Sequence, residues 1–268
     1  MRSRETIAAR RAPLRPLLAK EISEIVAGRA LWILLLLMCP LIGYSFFQAV
    51  SLYAESSIAA QQSPELAVSL SPLDGVLVPT FGASYVAVTL LFPFVAIRVL
   101  GQEKESGTLR LLVQLPYRTA TLIAAKLAAI LAAVVVVSLP ALVTLAWWTS
   151  LGGHLSAPET SNLVAGHVLY GLLVGAIALF AAAVTDSTAT AAIVALAFTI
   201  GSWVLDFTIA GRPGILEWLA RLSLTQTLRS FEQGLVTAAV ALGVIAAIGG
   251  FTTLAGIWLP PGVAARAL

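Results

Sequence analysis

Charged side chains are scarce in this sequence. Asp, Glu, Lys and Arg make up 11% of its 268 residues, whereas 59% are hydrophobic. A soluble domain of that composition would lack the polar side chains needed to cover its surface. Several apolar runs reach the roughly 20 residues that a membrane-spanning helix needs. The composition therefore excludes a soluble protein and predicts an all-α, polytopic membrane protein without a nucleic-acid-binding role.

Residues that could perform chemistry are also few. The single cysteine, Cys39, excludes an internal disulfide and a cysteine-based metal site, and we interpret it as a buried thiol in a membrane helix. The two histidines, His154 and His167, lack the His-Glu-x-x-His spacing of metalloproteases. Neither Gly-x-Ser-x-Gly nor the phosphate-binding Gly-x-x-x-x-Gly-Lys-Ser/Thr occurs. We expect no catalytic residue, metal or cofactor in this chain; if the protein is driven by ATP, a separate chain has to bind the nucleotide.

Six apolar runs predict six spans within one transmembrane domain, residues 1–268. The spans cover residues 31–52, 81–100, 120–148, 163–184, 188–209 and 235–259. Pro93 is expected to kink the second span. In the fourth, Gly166, Gly171 and Gly175 should permit close helix contacts.

The segments outside these runs are polar. Tyr53–Thr80 reads as a loop without Lys or Arg, and Trp147 and Trp148 as interfacial anchors at the end of the third span. Residues 210–234 form a longer, weakly amphipathic segment, for which re-entrant or external helices are both open.

Basic residues predict the orientation. With the N-terminus in the cytoplasm, the cytoplasmic side holds all of the sixteen Lys and Arg residues except Arg212, Arg221 and Arg229. The positive-inside rule therefore predicts a multi-pass protein of a prokaryotic inner membrane, with both termini cytoplasmic.

Residues 1–30 are predicted to form a cytoplasmic N-terminus that includes an amphipathic interfacial helix. Apolar residues recur at helical spacing from Leu14 onwards, and charged residues lie between them. Basic residues in such a helix can bind anionic lipid headgroups, so membrane lipids are an expected partner. The apolar positions are Leu17, Leu18, Ile22, Ile25 and Val26, and the charged ones are Lys20, Glu21 and Glu24.

The stretch Gly101–Lys126 concentrates charge between two apolar runs. It contains Glu103, Lys104, Glu105, Arg110, Arg118 and Lys126. Such a segment must leave the hydrocarbon, where unpaired charges are costly. Glu103 and Glu105 precede a short helical run that ends at Pro116, and acidic residues favour a helix start. The stretch predicts a short cytoplasmic helix across the ends of two spans, with Leu109, Leu112 and Pro116 on one stripe.

The pattern Glu103-x-Glu105-x-Gly107-Thr108-Leu109, with Leu111-Leu112, Pro116, Arg118 and Lys126 after it, resembles the coupling-helix signature of ABC-2-type transporter permeases. The resemblance implies an exporter subunit that is not an enzyme. It would work with a separate ABC ATP-binding subunit and a second permease copy or paralogue. The implied ATPase-coupling residues are Gly101, Glu103, Glu105, Gly107, Thr108, Leu109, Leu112, Pro116 and Arg118. The two glutamates would pair with basic residues of the ATPase, and the apolar stripe would fill its groove.

Alternative functions remain open. The compact layout is also similar to permeases of the nitrous-oxide-reductase maturation type, which implies possible mechanical action on a periplasmic protein docked at Tyr53–Thr80. A structural membrane subunit without an ATPase is a further alternative, and an intramembrane enzyme is disfavoured by the missing catalytic groups. Trp203 and Asp206 are candidates for a substrate path, because Asp206 is the only acidic residue deep in the predicted spans. The residues do not identify a substrate.

Overall fold

Regular structure is entirely helical in the part of the chain that the computed structural model describes, namely residues 14–61, 71–115, 117–209, 231 and 238–259. The helices are α1 (Leu14–Ala27), α2 (Arg29–Ala60), α3 (Val78–Ala96), α4 (Arg98–Glu105), α5 (Thr108–Gln114), α6 (Thr119–Ser150), α7 (Ala157–Val184), α8 (Thr188–Ile209) and α9 (Ala238–Trp258). A π-helical turn, Leu73–Leu77, leads into α3. The all-α prediction is confirmed for these residues.

Within the described residues, five helical segments are long and apolar enough to cross a membrane. They are Arg29–Ala60, Leu73–Glu105, Thr119–Ser150, Ala157–Val184 and Ala238–Trp258. The predicted fifth span coincides with α8, but its described apolar stretch is the shorter Thr188–Ser202. A multi-pass membrane protein is confirmed, whereas the count of six spans stays a prediction. Residues 210–230 and 232–237, the segment before α9, lie outside the described residues.

The first span is longer than predicted, because α2 continues to Ala60 and only then ends. The interpretation of Tyr53–Thr80 as a loop is therefore wrong at both ends, since helical structure resumes at Leu73. Tyr53, the first residue after the predicted span, packs its ring edge-on against Trp148, with 5.7 Å between the ring centroids. Trp148 is buried by this contact, whereas Trp147 is 59% exposed and alone has the exposure expected of an interfacial anchor.

The central helix of the described bundle is α7, which contacts α3, α6, α8 and α9. The predicted close contacts through its glycines are confirmed. A methyl carbon at Gly175 would lie 2.3 Å from Ile130 of α6, and one at Gly166 would lie 2.4 Å from Phe231. Gly171 meets Val134 of α6 in the same way. Small residues thus allow the helix backbones to approach closely.

In α1 and α2, the burial of particular side chains differs from the prediction. Cys39 is exposed on α2, so the prediction of a buried thiol is wrong. In α1, Leu17 packs against Leu122 and Ala125 near the start of α6, and Glu21 is 2% exposed. The face of α1 predicted to enter the membrane therefore packs partly on the protein itself.

Candidate functional site

The Gly101–Lys126 stretch forms an elbow, defined here as α4, residues 106 and 107, and α5. Helical backbone at Ile97 joins α3 to α4, so the second span runs without interruption to Glu105. Gly107, with a φ of 74°, ends this run and starts α5. Glu103 and Glu105 thus lie at the end of the spanning helix. They precede the short helix as predicted, but the prediction that they act at its start is wrong, because the chain turns after them.

Glu103 connects three helices through two ion pairs. Its carboxylate accepts a hydrogen bond of 2.6 Å from Lys20 Nζ of α1 and another from Lys126 Nζ of α6. Lys126 also donates to Glu21 at 3.1 Å and to the Val99 carbonyl at 2.8 Å. We call Lys20, Glu21, Glu24, Glu103 and Lys126 the Glu103 cluster.

The Glu103 cluster is mostly shielded from solvent. Lys126 is 1% exposed, Glu21 2% and Glu103 6%. At the exposed edge of the cluster, Glu24 forms an ion pair with Lys20 at 3.3 Å. Buried charges of this kind are costly to leave unpaired, so each partner constrains where the others can lie. The cluster therefore fixes α1, α4 and α6 relative to one another.

Two pKa shifts describe the α1 side of the cluster. Burial alone would lower the pKa of Lys20, but the hydrogen bond and negative charge of Glu103 outweigh it and raise that pKa above its ordinary value. Burial raises the pKa of Glu21, and the Lys126 ammonium opposes that shift. Lys20 consequently stays protonated near neutral pH.

The last residues of α4 hold the turn between α7 and α8. Lys104 Nζ donates to the carbonyls of Ala183 at 2.6 Å and Thr185 at 2.9 Å, at the end of α7. Glu105 accepts hydrogen bonds from the backbone N–H of Thr188 at 2.9 Å and from its hydroxyl at 2.8 Å, at the start of α8. A cation at a helix C-terminus and an anion at an N-terminus both complement the helix dipoles. Lys104 and Glu105 thus connect α4 to α7 and α8.

Gly101 permits this approach between α4 and α8. A methyl carbon on Gly101 would lie 2.5 Å from Cγ2 of Thr188, the residue that Glu105 binds. Only a glycine fits there without a shift of one helix. Gly101 therefore allows α4 to pack closely against α8.

The predicted docking stripe of α5 faces inwards. Leu109 and Leu112 are 7% and 8% exposed, and Leu109 belongs to the main apolar core. The outward face carries Arg110, Leu111, Gln114 and Leu115, with Leu111 64% and Leu115 46% exposed. Helical periodicity identifies a stripe but not which face a partner meets, because the chain's own core competes for the same leucines.

The other predicted site residues lie at the edges of the described structure. Thr108 begins α5, and its hydroxyl is 2.8 Å from that of Ser106. Arg118 is exposed at the N-cap of α6. Pro116 lies outside the described residues. Trp203 and Asp206 lie in α8, but their side chains are also outside the described part, so the substrate path stays a prediction.

Sequence reasoning did not connect Lys20 and Glu21 with Glu103 and Lys126. One signal was available: Lys126 lies well inside α6, and a lysine in a spanning helix requires an anionic partner. The sequence does not say which of thirteen acidic residues supplies it.

Gly107 gives a local prediction about the elbow. Gly107→Ala is expected to destabilise the turn by about 1–2 kcal/mol, because a side chain disfavours a positive φ. Gly107→Asn should cost less, since asparagine tolerates that conformation. The midpoint of thermal unfolding in detergent would measure both variants. Equal midpoints for Ala, Asn and wild type would contradict the prediction.

The described structure defines a class: a multi-pass helical membrane protein in which a charged elbow joins two adjacent spans and contacts most of the bundle. A family model described as ABC-2 family transporter protein matches residues 15–211. The chain belongs to this family and is an ABC transporter permease, a class of membrane subunit that works with an ABC ATP-binding subunit. No curated protein sequence matches the chain.

Proposed function

We propose that this chain is the permease subunit of an ATP-driven exporter and that the elbow transmits movement from a separate ATPase. The main observation in support is that α4 contacts α1 and α6 through Glu103 and contacts α7 and α8 through Lys104 and Glu105. A displacement of the elbow would therefore act on several helices at once. Packed helices respond to such a push as rigid bodies.

The face of α5 that would bind the ATPase is the outward one. Leu111 and Leu115 are exposed, and Arg110 lies beside them. This combination fits an apolar groove with an acidic edge on the partner. Glu103 has no such role in this proposal, because Lys20 and Lys126 already occupy its carboxylate.

The remaining parts of the proposal follow from the family and from the charge distribution. The elbow and both termini would face the cytoplasm of a prokaryotic cell, and ATP and Mg²⁺ would bind the ATPase. A second permease copy or a paralogue would complete the pathway for an unidentified substrate. Mechanical action on a periplasmic partner without transport remains the alternative, and no observation in the described residues favours it.

Acidic substitutions on the outward face of α5 test the docking surface. We expect Leu111→Asp/Leu115→Asp to abolish co-purification with an ABC ATP-binding subunit from the same genome that binds the wild-type chain, and to remove membrane-subunit control of ATP hydrolysis. Both side chains are largely exposed, so the fold should survive. Co-expression, affinity purification and ATPase assays in detergent would measure the effect.

A matched control is Leu14→Asp, which places a carboxylate at a 47% exposed leucine of α1. This variant should bind the ATPase as wild type does. If the Leu111/Leu115 variant elutes as a folded monodisperse protein and still binds and controls the ATPase, α5 is not the docking element. If wild type binds no ATPase at all, the exporter proposal fails.

A further inference from the structure

A cavity of about 250 Å³ lies between α1, the first turn of α2 and the junction of α3 with α4. This volume is several times the roughly 30 Å³ share of one water molecule. Its charged lining comprises Glu21, Glu24, Arg29 and Arg98, and its apolar lining includes Ile25 and Leu31. The cavity is thus polar on one part of its wall and apolar on another.

Two of the charged groups that line the cavity lie outside the Glu103 cluster. Glu21 and Glu24 belong to that cluster, in which Lys20 and Lys126 are shared among three carboxylates. Arg29 and Arg98 are exposed, and neither forms an ion pair or hydrogen bond with another described residue, although the Arg98 charge acts on Glu105. Their guanidinium N–H groups are therefore available to a ligand. Guanidinium groups match the geometry of phosphate oxygens.

Neighbouring aromatic and apolar residues place the cavity beside lipid. Trp32 is 57% exposed, and its indole N–H donates to the Val26 carbonyl at 2.9 Å, at the corner between α1 and α2. Tryptophan with this mixed character favours the membrane–water interface. Ile33 and Leu36, which follow it on α2, are 57% and 73% exposed. A ligand that enters here would have its polar part in the cavity and its apolar part along α2.

We propose that this cavity binds the phosphate headgroup of an anionic phospholipid. Arg29 and Arg98 bind the phosphate oxygens, and the exposed Ile33 and Leu36 of α2 contact the acyl chain. The bound lipid connects α1 to the start of α4, next to the Glu103 cluster. This inference does not depend on the ATPase, so it can fail or hold independently of the proposed function.

Native mass spectrometry of the full chain in detergent tests the site. The purified protein is titrated with phosphatidylglycerol, with phosphatidylcholine and with inorganic phosphate. We expect one phosphatidylglycerol to bind before any phosphatidylcholine. Arg29→Gln/Arg98→Gln should weaken that first binding event on the order of tenfold or more, because each basic residue near an anionic lipid contributes appreciably.

The control is Arg110→Gln/Arg118→Gln, which removes two exposed positive charges outside the cavity and should keep the first binding event. Size-exclusion elution and the thermal midpoint in lipid-free detergent would show that both double variants are folded. Equal binding of the two lipids, or equal weakening by both double variants, would overturn the proposal. Competition by millimolar inorganic phosphate would show an anion site that is not a lipid site, which also overturns it.

Should Arg29→Gln/Arg98→Gln fail to fold, the single variant Arg98→Lys decides the question. Lysine keeps the charge but lacks the planar fork that binds two oxygens at once. Weaker binding of phosphatidylglycerol by Arg98→Lys supports the site, and unchanged binding contradicts the assigned role of Arg98.

Discussion

Replacing Lys126 with methionine is expected to destabilise the folded protein by about 3–5 kcal/mol, the usual cost of breaking a buried ion pair on one side. Lys126 is 1% exposed and donates to Glu21, Glu103 and the Val99 carbonyl. Methionine fills similar space but leaves two buried carboxylates facing each other without this cation. The thermal midpoint in detergent should fall, together with the yield of monodisperse protein.

A double-mutant cycle separates the ion pair from simple packing. If the loss comes from unpaired charge, Lys126→Met/Glu103→Gln should be more stable than the sum of the two single losses predicts. Lys20→Met is the matched control, because the Lys20 side chain is 32% exposed and its ion pairs are partly solvated. A smaller loss is expected there. If Lys126→Met melts at the wild-type temperature, or if the cycle is additive, the Glu103 cluster does not hold these helices together.

The sequence predicted most of the architecture because membrane helices leave a strong signal. Spans need long apolar runs, and the helices α2, α3, α6, α7, α8 and α9 each coincide with a predicted run. The close contacts at the glycines of α7 could also be predicted, since small residues in a spanning helix indicate close helix packing. The end of α2 could not be predicted, because α2 continues into polar sequence to Ala60, and contacts such as that of Tyr53 with Trp148 join residues far apart in the chain.

The chemistry of the elbow could be predicted only in part. The signature correctly drew attention to Glu103, but its expected partner was another protein, whereas the structure supplies Lys20 and Lys126. These residues are 83 and 23 positions away in the chain, and hydrophobic periodicity does not indicate such pairings. For the same reason the apolar stripe of α5 was identified but not its direction.

These contacts change how the coupling site should be tested. Charge reversal at Glu103 would disrupt a buried ion pair, so loss of ATPase binding in that variant would not distinguish docking from folding. Leu111 and Leu115 avoid this problem because they are exposed. A substitution on the exposed face tests binding to a partner, whereas a substitution in the buried cluster also changes the stability of the fold.

Gly101→Ala is the second substitution with a large expected effect. The added methyl carbon would lie 2.5 Å from Cγ2 of Thr188 and 3.4 Å from Cγ2 of Ile97. Overpacking of this kind costs about 1–3 kcal/mol, and the gain in helix propensity of about 1 kcal/mol offsets only part of it. We expect a lower thermal midpoint, with α4 displaced from the start of α8.

A compensating substitution makes this prediction specific. Thr188→Ser removes the methyl group that obstructs the new side chain, yet it keeps the hydroxyl and the N–H that donate to Glu105. Gly101→Ala/Thr188→Ser should therefore recover much of the stability that Gly101→Ala loses. Gly243→Ala in α9 is the control, because no atom of a neighbouring described residue lies within 4 Å of its added carbon. That variant should melt at or slightly above the wild-type midpoint. If Thr188→Ser gives no recovery, contact between Gly101 and Thr188 is not what limits the approach of α4 to α8.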